Sequence, residues 1–405
     1  MTLDSFAVER YRGFKERTEI KIRPLTLLFG YNSAGKSALL RVLPLLRDTL
    51  RTGRDPIDFG SEVVCGATFR ELHCRFSGAP TIAVELASES EAMRYVIRDL
   101  AGEDRQIVEV VTRRTDDGEQ VLEWTTEGDS YELSRSGVAV GTHNLRFSGL
   151  AFQSSGSGEE SLSWDPPASA MLRQVQWLDA VRSRVSRLIP YGARPRGPLA
   201  SDGRDAPSSF AHALEDGSQV ARLVQEFYLK HLGHRIDAQK WAERFRLQLS
   251  LPSTPTLGYD LTDTGEGLSQ VLPIAVAVAR AATPEGPNLL ALEQPELHLH
   301  PRLHSELAKW LTSIVQRAPE VRMLIETHSE NVLLSVMLAV IKGELSADQV
   351  LIYWVHQLDD GQSVVDEITM DTLARLQGPW PNGVFQEDSI LATELNNLRL
   401  ARLRG

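Results

Sequence analysis

Cysteine is scarce in this sequence. Only Cys65 and Cys74 occur among 405 residues. They could form one bridge, but a chain of this length with so few cysteines is typical of a reduced, cytosolic protein. The sequence therefore argues against a disulfide-stabilised framework, and we expect two free thiols and a cytoplasmic location.

Long hydrophobic runs are also missing. The longest, "VLPIAVAVA" at 271–279, contains a proline and is far too short to span a bilayer. The N-terminal "MTLDSFAVERYRGF" has no apolar signal core. We therefore expect no membrane association of the chain by itself, and any membrane role would need a partner.

Positive charge is in deficit. Lysine and arginine total 43 against 54 acidic residues, which gives a net charge of -11. This balance excludes a chain that coats nucleic acid along its whole surface, although a local basic groove is still allowed because electrostatic steering depends on where the charge lies. The hydrophobic fraction of 42% is ordinary for a globular protein, and the length suffices for two or three domains.

Strand and helix patterns alternate at both ends of the chain. Residues 1–30 predict two strands and a turn, and the second strand ends in a buried apolar run. A helix is predicted over 36–51, where Pro44 should kink it or end it. Between 289 and 357 three apolar strand patterns alternate with two helical ones, which predicts a mostly parallel sheet.

The middle of the chain has a different pattern. Residues 60–165 carry short alternating runs separated by turn residues, which is an antiparallel β signature, and they end in an exposed loop at 154–169. Residues 170–188 are predicted to be mostly helical. Beyond a proline- and glycine-rich stretch, amphipathic helices are predicted over 218–233 and 237–245.

The stretch "GYNSAGKS" matches the phosphate-binding pattern G-x-x-x-x-G-K-[ST], with a buried strand before it and a helix after it. Gly30 and Gly35 permit the backbone conformations that turn N–H groups toward phosphate oxygens. Lys36 would bind the terminal phosphates and Ser37 would ligate Mg²⁺, so we predict ATP and Mg²⁺ as ligands. The residues expected to line the nucleotide here are Gly30, Asn32, Ser33, Ala34, Gly35, Lys36, Ser37 and Ala38.

A second apolar strand, "NLLALE", ends in an acid that suits Mg²⁺. Glu293 could hold the metal directly or through water. The amide of the next residue, Gln294, can orient an attacking water, as a glutamine does in some GTPases, but it cannot accept the proton of that water. Glu296 could reach the same water or cap a helix. Either arrangement favours slow hydrolysis and a long-lived ATP-bound state.

Three histidines follow these acids. His298, His300 and His304 raise the question of a metal site. No cysteine or nearby acid pair completes a ligand set, so we expect none.

Four motifs together carry a resemblance to a known group. The phosphate loop, "TDTGEGLSQVLPIA" at 262–275, "ALEQPELHLHP" and "LIETHSE" at 324–330 resemble, in order and spacing, the ABC-type P-loop ATPase heads of the structural-maintenance-of-chromosomes (SMC), RecF and overcoming-lysogenization-defect (OLD) group. The likeness is strongest to small prokaryotic ATPases with a G-x-G-x-S-Q signature and an E-x-P-E-x-H-L-H-P block. "YRGF" and "GPWPNGVF" extend it to both ends, while residues 60–258 match only loosely.

The resemblance implies a site shared between two subunits. His328 would contact the γ-phosphate, unless it is an ordinary strand-end histidine, and Arg12 of "YRGF" would touch the phosphates, unless it is solvent-exposed. Two heads would sandwich two ATP molecules, giving a homodimer or a higher homo-oligomer, and the segment at 298–301 would cross to the other subunit. The signature residues implied to contact the partner's ATP are Gly265, Glu266, Gly267, Ser269 and Gln270.

The fold implied is an α/β ABC-type ATPase head with a mostly parallel P-loop sheet, an antiparallel β subdomain and a helical subdomain. Only about 230 residues separate the phosphate loop from the signature, so no long coiled coil fits between them. The chain after His328 lacks the acidic pattern of OLD nucleases, and we expect no intrinsic nuclease. One composite domain is predicted, with these parts: a core with the phosphate loop (1–60), a β-rich arm (61–165), a helical lid insertion (166–258) and the second half of the core (259–405).

The segment from Arg173 to Arg204 is basic, although the chain as a whole is acidic. It could be a phosphate-binding groove for DNA or RNA, a solvated helix face or, for "YGARPRG", a lid loop near the nucleotide. "RLARLRG" at the C-terminus adds a further cluster. The segment's arginines are Arg173, Arg182, Arg184, Arg187, Arg194, Arg196 and Arg204.

The residues themselves indicate an ATP site, and the resemblance adds a biological setting. It implies a nucleotide-dependent switch that controls a partner effector, such as a nuclease encoded nearby, in anti-phage defence. The alternatives are a RecF-like DNA-repair ATPase that binds DNA and a non-hydrolysing ATP-bound scaffold. A transporter's ATPase subunit is disfavoured because its signature differs and it lacks a strand-rich insert like the one at 60–165.

Overall fold

The computed structural model describes residues 2–100, 105–154, 162–190, 192, 197–381 and 384–385. The strands are β1 (Ser5–Glu9), β2 (Thr18–Lys21), β3 (Leu25–Gly30), β4 (Thr81–Ser88), β5 (Glu91–Leu100), β6 (Arg105–Thr115), β7 (Gly118–Trp124), β8 (Ser130–Arg135), β9 (Val138–Ser148), β10 (Ala151–Ser154), β11 (Ser163–Trp164), β12 (Gln176–Leu178), β13 (Ile189–Pro190), β14 (Arg235–Trp241), β15 (Arg244–Ser250), β16 (Tyr259–Asp260), β17 (Leu289–Glu293), β18 (Arg322–Glu326), β19 (Val350–Gln357), β20 (Ser363–Met370) and β21 (Leu376–Gln377). The α-helices are α1 (Lys36–Leu40), α2 (Val42–Thr52), α3 (Phe69–Leu72), α4 (Ser169–Leu172), α5 (Ala206–Glu215), α6 (Gln219–His231), α7 (Glu266–Gln270), α8 (Leu272–Ala281), α9 (Pro301–Arg317) and α10 (Glu330–Ile341).

Two large sheets dominate the architecture. A seven-stranded sheet has the order β12-β17-β18-β3-β19-β20-β21 and is parallel from β12 to β19. A ten-stranded antiparallel sheet has the order β11-β10-β9-β8-β7-β6-β5-β4-β1-β2, and β13 to β16 form a small third sheet. The expected α/β class is therefore confirmed, with a mostly parallel sheet carrying the phosphate loop and a separate antiparallel sheet. The longest helix in the described part of the chain is α9, with 17 residues, so no long coiled coil is found there.

The parallel sheet is covered on both faces. All residues of β3 are buried, as its unbroken apolar run predicts. Leu27 and Phe29 pack into one core with helices α5, α6 and α8 to α10, whereas Leu28 packs into a second core with α1, α2 and the ten-stranded sheet. The carboxyl ends of β17, β18 and β3 consequently meet at one edge, where the chain can present loops to a ligand.

The first 30 residues form three strands instead of the predicted two. Pro24 separates β2 from β3, and β1 pairs with β4 in the antiparallel sheet through Val8 and Val84. Residues 1–60 therefore contribute strands to both large sheets. The start of the chain is tied to the β-rich arm rather than only to the core.

The helix after the phosphate loop is interrupted as predicted. It breaks at Arg41, between α1 and α2. Pro44 has no N–H to donate to the carbonyl of Leu40, and its ring crowds that carbonyl, so the regular helix cannot run through. The break leaves the Arg41 side chain free to reach the end of β17.

Two helix predictions were wrong. Within 170–188 the helix ends at Leu172, and Gln176–Leu178 forms the edge strand β12, whose apolar side chains suit a buried parallel sheet. Residues 237–245 belong to the β14–β15 hairpin, which turns at Ala242 with a φ of 50°. Segments this short fit helical and strand periods about equally, so pairing with other strands determined the structure of both segments.

Both cysteines are free thiols, as expected, with Cys65 exposed and Cys74 buried. Within the described residues, no helix has the length and apolar character needed to cross a membrane.

Candidate functional site: a nucleotide pocket at the parallel sheet

Two glycines of the phosphate loop occupy positions that no other residue would fit. Gly30 has a φ of 147°, and a Cβ there would collide with the carbonyl of Val355 on β19. Gly35 has a φ of 111°, and a Cβ would lie 2.8 Å from the ring of Phe14. Only glycine combines these angles with such close approach, so the loop has the tight path that its sequence predicts.

Lys36 lies inside the phosphate loop. Its side chain is buried, and Nζ donates to the carbonyls of Gly30 at 3.0 Å and Tyr31 at 2.8 Å. Burial lowers the pKa of Lys36, and the charge of Glu326 opposes that shift. Of the other predicted lining residues, Asn32 and Ser33 are exposed, Ala34 is buried, and Ser37 and Ala38 are half-buried.

Glu293, the predicted metal ligand, is already engaged by two other side chains. It is 3% exposed at the end of β17. Arg41 donates to both of its oxygens, Nε to Oε1 at 2.7 Å and Nη2 to Oε2 at 2.8 Å, and Trp177 Nε1 donates to Oε1 at 2.9 Å. Burial raises the pKa of Glu293 while Arg41 opposes the rise, and the same ion pair raises the pKa of Arg41. Glu293 therefore ties β17 to the break between α1 and α2.

Gln294 is held in a strained backbone conformation. Its φ of 41° lies in the left-handed region, which costs about 1–3 kcal/mol for a residue other than glycine. Its N–H donates to the carbonyl of Glu326 at 2.8 Å, and its carbonyl accepts from Arg182 at 3.4 Å. These bonds hold the turn that directs the chain away from β17.

Glu296 bridges two loops of the site and does not cap the following helix, while its contact with the attacking water stays a prediction. It is buried, and its Oε1 accepts from Thr327 Oγ1 at 2.6 Å and from the His328 N–H at 3.0 Å. The cap of α9 is His300 instead. Burial raises the pKa of Glu296. Its position fixes the loop that carries His328.

His328 lies beside the phosphate loop. It is an exposed residue two positions past β18. Partial burial of the ring and the positive charge of Lys36 lower the pKa of His328, which favours the neutral imidazole. The structure thus brings together two residues that the sequence places 292 positions apart, 36 and 328.

The neighbouring histidines have structural contacts. His300 Nδ1 accepts from the Arg302 N–H at the start of α9. His304 bonds to Ser329 Oγ at 2.8 Å and to the carbonyl of Leu299 at 3.0 Å, while His298 is exposed with a φ of 69°. Among the described residues there is no group of three or more ligands suited to a metal ion.

The predicted signature lies at the start of α7. Gly265 precedes this helix, and Gly265 and Glu266 are exposed. A Cβ on Gly267 would lie 2.7 Å from the carbonyl of His298, so the signature packs directly on the histidine loop. Ser269 Oγ donates to the carbonyl of Glu266 at 2.9 Å.

Gln270 was expected to contact a second subunit's ATP, but its side chain is 3% exposed. Its Nε2 donates to the carbonyl of Arg182 at 3.3 Å in the same chain. The end of the signature faces the interior because α7 continues directly into the buried helix α8.

Arg182 was a candidate for the nucleic-acid surface, and the structure places it in the interior instead. The residue is 5% exposed. Its guanidinium donates to four carbonyls at 3.2 to 3.5 Å. Burial lowers its pKa to about 10, partly offset by Glu296 and Asp179. Arg182 therefore clamps the loop after β17. The four carbonyls belong to Asp179, Glu293, Gln294 and Leu297.

The remaining arginines of this segment are mostly committed to partners within the chain. Arg173 donates to the carbonyl of Leu50, Arg187 pairs with Asp263, and Arg204 lies 3.4 Å from Asp202. Arg184 is exposed and 3.8 Å from Glu266. Arg194, Arg196 and the C-terminal "RLARLRG" lie outside the described residues. Arg184, Arg187 and Arg204 are half or more exposed, and their contact with nucleic acid stays a prediction.

The "YRGF" segment packs on the phosphate loop through Phe14, whose ring contacts Gly35. Arg12 has a φ of 53° and donates to the carbonyl of Glu71 at 3.5 Å. Its contact with phosphate stays a prediction.

Glu326 is a site residue that sequence reasoning missed. It ends β18 and is 3% exposed, and its Oε2 has no hydrogen-bond partner among the described residues. The signal was the acid directly before "THS" at a strand end, one strand nearer to the phosphate loop than Glu293. A serine hydroxyl and buried carboxylates are the hard oxygen donors that Mg²⁺ prefers, so the residues present fit that ion.

One family model and several solved structures match this chain. Residues 236–333 match the family model described as an AAA ATPase domain. The solved structures with similar folds include the SMC head domain from Thermotoga maritima, at 13% identity, with 90% of this chain and 98% of that chain covered and a TM-score of 0.41. An Smc head with an extended coiled coil, bound to the C-terminal domain of ScpA from Pyrococcus furiosus, gives 10% identity, coverage of 91% and 96%, and a TM-score of 0.45. No curated protein matches the chain.

Proposed function

We propose that this protein binds ATP with Mg²⁺, hydrolyses it slowly and acts as a nucleotide-dependent switch. The observation that carries the proposal is the meeting of Lys36, His328 and buried carboxylates at one edge of a parallel sheet, directly beside a phosphate loop. Each group comes from a different strand end or loop. This convergence of a cation, a histidine and acids suits a triphosphate and its metal ion.

The chain's own residues have separable roles in this proposal. Lys36 would exchange its loop carbonyls for the terminal phosphates, and Ser37 with a buried carboxylate would hold the metal ion, which neutralises phosphate charge when bound. His328, held by Glu296, would donate to the γ-phosphate. Gln294 would orient the attacking water without accepting its proton, because an amide is not a base at neutral pH. We therefore expect slow turnover of ATP.

The proposal extends to a shared ATP site between two heads. The exposed Gly265 and Glu266 at the start of α7 support it, because these groups are free to meet a second subunit. A partner effector, which we propose to be nuclease-like and to act in anti-phage defence, would sense the paired state. Exposed Leu334, Leu338 and Ile341 lie on one face of α10, and such an apolar row is typical of a protein-binding surface.

A mixing experiment tests the shared site. Lys36→Ala inactivates the phosphate loop and Ser269→Arg fills the signature, so each variant alone should be inactive. In a mixed dimer, the intact loop of one subunit faces the intact signature of the other. Random mixing makes about half of the dimers mixed, and one of the two sites in each mixed dimer is intact. About a quarter of wild-type ATP turnover should therefore return, measured as phosphate release. Mixtures as inactive as the separate variants, at concentrations where wild type turns over, would show that each chain works alone.

Glu296 offers a test of the water-handling step. Glu296→Gln keeps an oxygen that can accept from Thr327 and His328, so we expect turnover to fall by less than about threefold, whereas loss of a general base costs about a hundredfold or more. Glu296→Ala removes that oxygen and leaves both donors without it. We expect it to destabilise the fold by about 1–3 kcal/mol in urea unfolding. A hundredfold loss in Glu296→Gln with normal stability would instead identify Glu296 as the base.

A further inference from the structure

Two buried acids at the edge of the parallel sheet differ in their hydrogen-bond partners. Glu293 and Glu326 are register partners on β17 and β18, and each is 3% exposed. Residues two positions before them, Ala291 and Leu324, pack into the core that contains α1 and α2. Side chains alternate along a strand, so both acids face the phosphate-loop helix. Their environments differ sharply.

Glu293 is neutralised. Both of its oxygens accept from Arg41, and Oε1 accepts from Trp177 as well. Arg41 also lies over the Trp177 ring, 5.5 Å from its centroid, so the guanidinium is held from two sides. For Glu293 to bind a metal ion, this buried bidentate pair would have to break. Separating the pair would take both of these hydrogen bonds from a part-buried arginine and leave it one carboxylate neighbour, Asp179 at 3.5 Å, which is unfavourable.

Glu326 has no such partner. Its Oε2 is fully shielded and makes no hydrogen bond within the described part of the chain. The strand that carries it, β18, lies between β17 and β3, which places Glu326 one strand nearer to the phosphate loop than Glu293. Its charge acts on Lys36. A buried carboxylate oxygen without a donor is costly unless a cation or a donor arrives in the functional state.

We propose that Glu326, rather than Glu293, is the carboxylate that anchors the Mg²⁺ of bound ATP together with Ser37. This inference rests on the proposed function, because it needs ATP in the phosphate loop. It reassigns the acid at the end of β17, which the sequence pattern favours, to a structural role. Glu326, which precedes "THS" at the end of the neighbouring strand, binds the metal ion instead.

The test measures nucleotide affinity, not turnover. Fluorescent N-methylanthraniloyl-ATP is titrated onto the full chain with Mg²⁺ or with EDTA, and the ratio of the two dissociation constants gives the metal benefit. Loss of groups that only orient a metal ligand costs about 10–100-fold in metal affinity. In Glu326→Gln we therefore expect the metal benefit to fall at least about tenfold. Affinity in EDTA should be kept or improved, since a negative charge near the triphosphate is gone.

Glu293→Gln is the matched control, because it makes the same change on the adjacent strand while its amide oxygen can still accept from Arg41, which keeps Asp179 as a charged neighbour. It should keep the wild-type metal benefit. Glu326→Asp, which retains the charge on a shorter side chain, should keep part of it, and circular dichroism checks that each variant is folded. The inference is overturned if Glu326→Gln keeps the full metal benefit or if Glu293→Gln loses it. Wild-type protein that binds no nucleotide under either condition would overturn the proposed function itself.

Discussion

Replacing Lys36 with alanine is expected to abolish ATP turnover. The ammonium is the cation that the phosphate loop places at the terminal phosphates, and removal of one such stabilising group from a preorganised site costs about 10²–10³-fold in rate. Nucleotide affinity should fall as well, because the charge acts on bound ATP before any reaction. Turnover is measured as phosphate release at saturating ATP, and affinity with the fluorescent analogue.

The fold should survive this change. Burial already lowers the pKa of Lys36, so the charged form is held at a cost, and the carbonyls that it leaves behind belong to the loop backbone. The exposed Lys342 at the end of α10 is a suitable comparison, and Lys342→Ala should turn over ATP as wild type does. Wild-type turnover in Lys36→Ala would mean that ATP is hydrolysed elsewhere in the chain.

Replacing Arg182 with alanine is expected to destabilise the protein by about 3 kcal/mol, because several buried carbonyls lose a charged donor at once. The same change should slow turnover, since the clamped loop carries Gln294 and adjoins the glutamate that holds His328. Urea unfolding followed by circular dichroism gives the free energy. A wild-type midpoint would show that the guanidinium contributes nothing to the loop.

Two further variants separate the effect of the Arg182 guanidinium from that of positive charge in this segment. Arg182→Lys keeps a charge but loses the planar fork that reaches carbonyls on both sides, so it should recover only part of the stability. Arg184→Ala changes an arginine of the same segment whose side chain is 87% exposed, and it should leave the unfolding midpoint unchanged. A nucleic-acid role for this segment would give the opposite ranking in a DNA-binding assay, with Arg184 more important than Arg182.

The phosphate loop and its surroundings were predictable from sequence because their chemistry is local. Gly30, Gly35 and Lys36 lie within seven consecutive positions, and the buried strand before them is an unbroken apolar run. The strands that end at Glu293 and beside His328 carry the same signal. Regular parallel strands bring such ends to one edge, so the pattern of the sheet places the acids and the histidine without any knowledge of their contacts.

The contacts of Glu293 were not predictable in this way. Its partners lie 252 positions away at Arg41 and 116 positions away at Trp177. Trp177 lies in a segment that was predicted to be mostly helical, although it belongs to an edge strand that only the pairing with β17 creates. The inward position of Arg182 was not predictable either, since a run of arginines in one segment does not reveal which of them turns inward.

The single exposed thiol has a practical consequence. Cys65 Sγ lies 4.0 Å from Arg41 Nη1, which places it beside the ion pair at the end of β17, whereas Cys74 is buried. A maleimide dye would therefore attach selectively at the rim of the nucleotide pocket in the native sequence. The protein carries its own labelling handle for fluorescence studies of this pocket, and no cysteine has to be introduced or removed.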